Sequence, residues 1–241
     1  MISPSICEPI VVNKFAFTAA QIQSILVPHI TAEREAGIRR VVSGRCKSVM
    51  PVLEGLYDRG NASAVLRSAE SLGFQEVHLI ETSKKFKNAN RVTQGAEKWL
   101  DVVRWESTTE FIKRIKDSGH RLAVTHMDDA RPIGEISFAA PTALVFGNEM
   151  EGVSEEMLEA ADECVMIPMA GFSQSFNISV AAALALYEIQ QSRIREIGSH
   201  ADLSEAERES LIASYYLRHV TSADKILQRA VESMKEEGES E

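Results

Sequence analysis

Apolar runs recur along the middle of the chain at Val49–Leu53, Glu76–Ile80, Val102–Trp105, Arg121–His126, Thr142–Phe146 and Cys164–Met169. Each has the length of a strand. Between them the apolar spacing changes to that of helices. Asn61 is placed to cap a helix whose stripe is Ala62, Val65, Leu66, Ala69 and Leu72, with Gly73 ending it. Ser107 and Glu110 form a capping-box pattern ahead of Phe111, Ile112 and Ile115, and Gly119 stops that segment. Ser154 precedes two acids in a first turn, then Met157, Leu158 and Ala161. Strands alternating with helices predict an α/β fold, a mostly parallel sheet with helices on both faces.

The run from Ile178 to Tyr187 breaks the pattern, because it is apolar on nearly every side and rich in alanine. It predicts a buried helix, capped by Ser175 or Asn177. The flanks differ again. Residues 14–46 suggest helices and little sheet, and the charged segment after Gly198 carries a second capping box at Ser204 and Glu207. The organisation read from this is a helical N-terminal extension over 1–46, an α/β domain over 47–198 and an acidic helical extension over 199–241.

Composition narrows the class. With 44% hydrophobic and 25% charged residues, the chain has the make-up of a soluble globular protein. Its longest apolar stretch is about half the ~20 residues that span a bilayer. No basic-then-apolar leader opens it. Three scattered cysteines without a CxxC pair point to a reducing, cytoplasmic setting, or to an organelle after removal of a transit peptide. Six histidines without HxxxH spacing give no sign of a metal site.

The net charge of −9 argues against nucleic acid until its distribution is read. Eleven acids and five bases fall within 196–241. Bases instead dominate at Arg39, Arg40, Arg45 and Lys47, and again at Lys84, Lys85, Lys87, Arg91, Lys98 and Arg104. Either cluster is a solvated face or a phosphate-binding groove.

Three stretches carry candidate chemistry. In "NASAVLR", Arg67 lies opposite the apolar stripe and points away from its own core, as an ordinary surface arginine also does. In "ALVFGNEMEGVSEE", a buried strand ends at Gly147, where open α/β sheets meet ligands, and Gly147 and Gly152 permit close backbone approach. In "IPMAGFSQSFNIS", a turn delivers Ser175 and Asn177 to the unpaired N–H groups of the next helix. Spacing alone leaves a glycine turn and a well-capped core helix open as the plainer readings. A GxGxxG fingerprint and a GxxxxGK[ST] loop are both missing.

Together the stretches resemble the SPOUT RNA 2′-O-methyltransferases of the TrmH/SpoU branch. The pattern N-x-x-A-x-x-R is met by Asn61, Ala64 and Arg67. Phe146, Gly147, Glu149, Gly152, Val153 and Ser154 match a second motif, and a third is matched from Ile167, Pro168, Met169 and Gly171 through Ser175, Asn177, Ser179 and Ala181–Ala183. Phe176 replaces a frequent leucine. The resemblance implies a deep C-terminal trefoil knot and a homodimer. It implies S-adenosylmethionine as cofactor, held by Phe146, Gly147, Glu149, Ile167, Met169, Ser175 and Asn177. Arg67 and Asn61 would be the catalytic pair. The implied substrate is a ribose 2′-OH in RNA, a tRNA guanosine in the D-loop. Ribosomal RNA and a non-catalytic RNA-binding protein are the alternatives. RNA phosphates would meet Arg39, Arg40, Lys84, Lys85, Lys87 and Arg91.

Overall fold

The computed structural model describes residues 9–56, 58–81, 95 and 98–238, with side chains through 233. In chain order its first elements are β1 (Ile10–Val12), β2 (Phe15–Phe17), α1 (Ala19–Leu26), α2 (Ala32–Ser43), β3 (Val49–Glu54), α3 (Arg59–Ser71), β4 (Glu76–Ile80) and β5 (Asp101–Trp105). Then follow α4 (Thr108–Asp117), β6 (Arg121–Thr125), β7 (Arg131–Pro132), β8 (Thr142–Phe146), α5 (Glu155–Ala160), β9 (Glu163–Met166), α6 (Ile178–Ile197), α7 (Glu205–His219) and α8 (Ala223–Gly238). They form two compact units, Arg45–Asp202 and Met1–Gly44 with Leu203–Glu241.

In the smaller unit the two ends of the chain pack on each other. α1 lies against α7 and α8, and α2 lies against α7. Ile22, Leu26, Ile38, Val42, Ile212 and Leu227 are buried there. Thr18 with Gln21 caps α1 and Ser204 with Glu207 caps α7, each as a complete capping box. The N-terminal segment is less helical than its sequence suggests, because β1 and β2 pair as an antiparallel hairpin. Asn13 and Lys14 make its tight turn with φ of 46° and 72°. Two consecutive positive φ values match the right-handed twist of a hairpin, a signal hidden in "IVVNKFAF".

The larger unit is built on a sheet in the order β5-β4-β3-β8-β6-β9-β7, with every neighbouring pair parallel. Alternation along each strand sorts the core into two layers. Val49, Leu53, Val77, Leu144 and Phe146 join Val65 and Leu66 of α3 and Ala185, Leu186 and Ile189 of α6. Met50, Val52, Val124, Ala143 and Val145 join Phe111 and Ile115 of α4 and Met157 of α5. Helices therefore cover both faces.

Four local expectations change. Asp58 caps α3, its side chain accepting from the Gly60 N–H, so Asn61 lies inside the helix with its side chain free for other work. β6 stops at Thr125 and β9 at Met166, which releases 126–129 and 167–177 as loops. The two-residue strand β7 is too short to leave a periodic signal. Finally, α6 is not buried all round. It buries Ala182, Ala185, Leu186 and Ile189 but leaves Val180, Leu184 and Tyr187 at 46%, 44% and 53% exposure. Residues spaced by four and then three form one continuous stripe.

Candidate functional site

Because the paired strands are parallel, the C-terminal ends of β6, β8 and β9 open on the same edge of the sheet. A cavity of about 370 Å³ lies there. Phe146, Val165, Ile178 and Ala185 supply apolar walls, and three loops close around them.

The first loop leaves β8 at Gly147. A Cβ at that position would sit 2.2 Å from the Gly152 carbonyl carbon, so only glycine fits. Asn148 and Gly152 exchange backbone hydrogen bonds of 2.7 and 3.0 Å, and Gly152 takes a φ of 72°. The Asn148 side chain is tied on both ends. Its Nδ2 donates to the Gly55 carbonyl at 2.7 Å, and its Oδ1 accepts from the Met150 and Glu151 N–H groups. At the far end Ser154 caps α5, its hydroxyl accepting from the Met157 N–H.

The second loop runs from Ile167 to Asn177. The Asn177 Oδ1 accepts from the Ser179 N–H at 2.9 Å, which caps α6. Its Nδ2 donates to Asn61 Oδ1 at 3.2 Å, and Asn61 Nδ2 donates to Glu149 Oε1 at 2.6 Å. One hydrogen-bonded chain thus joins the three stretches singled out in the sequence, with Asn61 as its middle link. An amide suits that place because it donates at one end and accepts at the other.

All seven residues expected to hold a cofactor, Phe146, Gly147, Glu149, Ile167, Met169, Ser175 and Asn177, line this cavity. Sequence reasoning missed the third side of the cavity, Thr125 at the end of β6 with His126 and Met127 in the loop after it. The rule that ligands gather at strand C-termini would have flagged it. Arg67 is exposed on α3 and is not among the lining residues. Among the described residues no cluster of His, Cys, Asp or Glu suits a metal ion, and no helix is long and apolar enough to cross a membrane.

The basic residues divide sharply. Arg39 is taken up by Glu35 at 3.0 Å, Gln23 Oε1 at 3.1 Å and Glu209 at 3.8 Å, whereas Arg40 is exposed. Arg45 is buried and bonds the Glu70 carboxyl and carbonyl, so it is structural. Arg104 pairs with Glu81. Lys84, Lys85, Lys87 and Arg91 lie outside the described residues.

Residues 48–187 match the model of the SpoU rRNA Methylase family, more than half of the chain. The chain belongs to this family. A tRNA (guanosine(18)-2′-O)-methyltransferase of Borreliella burgdorferi is 35% identical over 193 residues, covering 80% of this chain and 88% of that protein. The crystal structure of a TrmH/SpoU tRNA modifying enzyme from A. aeolicus superposes with a TM-score of 0.70 at 30% identity, over 79% of this chain and 98% of that one. The SpoU methyltransferase AviRb from Streptomyces viridochromogenes, in complex with the cofactor AdoMet, gives a TM-score of 0.56 at 25% identity, over 64% and 62%.

The cavity suits that cofactor. Its volume falls in the range of small-molecule sites, and its walls are mostly apolar with a few convergent polar groups. Gly147 and Gly152 line it without side chains, which lets a ligand approach the backbone closely. Ser175 and Asn177 add polar atoms at the rim.

Proposed function

We propose that the chain transfers a methyl group from S-adenosylmethionine to a ribose 2′-OH of RNA, with a guanosine of tRNA as the substrate. The observation that carries this reading is the Glu149–Asn61–Asn177 chain, set at the cavity lined by the residues expected to hold the cofactor. The relatives named for tRNA support tRNA over ribosomal RNA.

When bound, the cofactor supplies an electrophilic methyl group on a sulfonium. The protein must hold a hydroxyl in line with it and exclude water. Gly147 and Gly152 let backbone close on one side of the cavity, and the 167–177 loop covers another. Asn61 keeps Glu149 and Asn177 at a fixed spacing. Arg67 is the catalytic arginine of this reading. A guanidinium does not give up its proton near neutral pH, so it stabilises the developing alkoxide or grips a substrate phosphate.

Arg67 points to solvent, so it serves a neighbour's cavity or the RNA. A homodimer through the exposed Val180–Leu184–Tyr187 stripe of α6 supports the first arrangement, since a second copy would cover that apolar face. The knot belongs to the same proposal and would pass through the loops after β8 and β9. Arg40, with the 84–91 bases, is left as the candidate for phosphate contacts, while Arg39 is occupied by acids. Free cysteines at Cys46 and Cys164 suit a reducing, cytoplasmic setting.

Labelled S-adenosylmethionine, incubated with tRNA and ribosomal RNA pools and followed by mapping of the modified ribose, tests the reading. Label on a tRNA guanosine supports it, label on ribosomal RNA alone moves the substrate, and label on neither overturns it. Arg67→Ala should abolish transfer and leave cofactor affinity within about twofold.

A further inference from the structure

Glu54 closes the inner strand β3 after five apolar residues and is only 4% exposed. A carboxyl buried in such a place is unfavourable by several kcal/mol unless its oxygens are hydrogen-bonded. Here both are. Oε1 accepts from the Thr108 hydroxyl at 2.9 Å and from the Ser154 hydroxyl at 2.7 Å, and Oε2 accepts from the Ser154 N–H at 3.0 Å. Two of its three bonds therefore go to one residue, which ends the loop that begins at Gly147.

The next residue holds the other end of that loop. The Gly55 carbonyl accepts from Asn148 Nδ2 at 2.7 Å. Two consecutive residues at the tip of β3 thus fasten the loop before and after Glu149. Glu149 in turn receives Asn61, the middle link of the site. We infer that Glu54 is a positioning residue for methyl transfer, fixing the 147–154 loop so that its backbone meets the cofactor and Glu149 meets Asn61. The inference rests on the methyltransferase reading above and adds to it a residue outside the cavity lining.

The chemistry explains why an acid stands there. An apolar residue would leave the Ser154 N–H without its acceptor, and glutamine could accept from it only by turning its NH₂ toward the two hydroxyls, which would then have to accept instead of donate. Thr108 supplies an internal control, because it bonds the same oxygen as the Ser154 hydroxyl but belongs to α4 and not to the loop.

The test is S-adenosylmethionine affinity by calorimetry on the full-length protein, together with single-turnover rates on tRNA at saturating cofactor, well below the melting temperature. Glu54→Gln is expected to weaken cofactor affinity roughly tenfold and to slow the saturated rate as well. Thr108→Val should lower the melting temperature but keep wild-type affinity and rate. Should Glu54→Gln fail to fold, Ser154→Ala against Thr108→Val makes the same comparison, with severalfold weaker binding expected only for Ser154→Ala. Wild-type affinity and rate in Glu54→Gln, or equal effects in Ser154→Ala and Thr108→Val, overturn the inference. A wild-type protein that does not bind S-adenosylmethionine overturns the methyltransferase reading instead.

Discussion

The two loops that meet at the cavity are built in opposite ways. The 147–154 loop is tied to itself by the Asn148–Gly152 pair, to Gly55 through Asn148, and to Glu54 through Ser154. From Ala170 to Asn177, by contrast, every residue is exposed, and among the described residues the side-chain bonds of that stretch are those of Asn177. One loop is finished before any ligand arrives and the other is held only at its end. The contrast suggests a division of labour. With the cofactor bound as proposed, a preformed wall would set its position and an adaptable wall would close over it.

The sharpest way to break this division is at Gly147. Alanine there forces its Cβ to within 2.2–2.4 Å of Gly152 and Val153 backbone atoms, and backbone cannot yield as a side-chain tip does. Gly147→Ala is expected to reduce cofactor affinity at least a hundredfold, measured by calorimetry. Gly171→Ala in the other loop meets nothing within 4 Å and should change affinity less than threefold. If the two variants behave alike, the preformed wall is not what sets binding.

Acid exposes a second contrast, between the site and the interior of the same unit. His200 is buried edge-on to Phe74 at 4.7 Å, and among the described residues neither of its ring nitrogens has a hydrogen-bond partner. Burial, assisted by the Arg193 guanidinium and opposed by Asp202, pushes its pKa down to about 4 from 6.5. The unfolded chain then binds a proton between pH 6.5 and 4 that the folded chain refuses. The His200 contribution to stability is therefore full above about pH 6.5 and falls as pH drops toward 4, by roughly 3 kcal/mol in all. Urea unfolding from pH 7.5 to 4.5 should show this slope. His200→Leu should flatten it without changing cofactor affinity at pH 7.5, which separates fold stability from the loops.

The sequence was most legible where one periodicity ruled. β3, β4, β6 and β8 fall within a residue of their apolar runs because the sheet buries them on both sides. Cavity residues were legible through motif spacing and not through periodicity, since Gly147, Glu149 and Asn177 sit in loops. What stayed hidden depended on contacts distant in sequence. Asn61 looked like a cap because Asn commonly is one, and only the fold brings it to Glu149, 88 residues away. Arg45 looked like part of a basic surface, yet the fold buries it against Glu70. The exposed stripe of α6 was hidden for another reason. A helix apolar all round reads as buried, and the sequence does not say which face the chain itself leaves uncovered.

Asn61 links the two loops, so its removal tests whether they act together. Asn61→Ala breaks the bond to Glu149 and the bond from Asn177 at once. The saturated transfer rate should fall about tenfold to a hundredfold, while the melting temperature changes little because neither Glu149 nor Asn177 is buried. A rate within twofold of wild type would mean that the loops are aligned without this bridge.

The smallest expected effect bears most directly on the contrast itself. If the 147–154 loop is already fixed, cofactor binding has little conformational freedom left to remove there. If 170–177 is held only through Asn177, binding must order it, and its backbone amides should become harder to exchange. Hydrogen exchange with and without S-adenosylmethionine should then show a severalfold slowing concentrated in 170–177. The amides of Asn148 and Gly152, already bonded to each other, should change less than twofold. Equal protection of both loops would indicate that the wall that looks finished also moves, and that Glu54 and Asn148 hold one of several positions it visits.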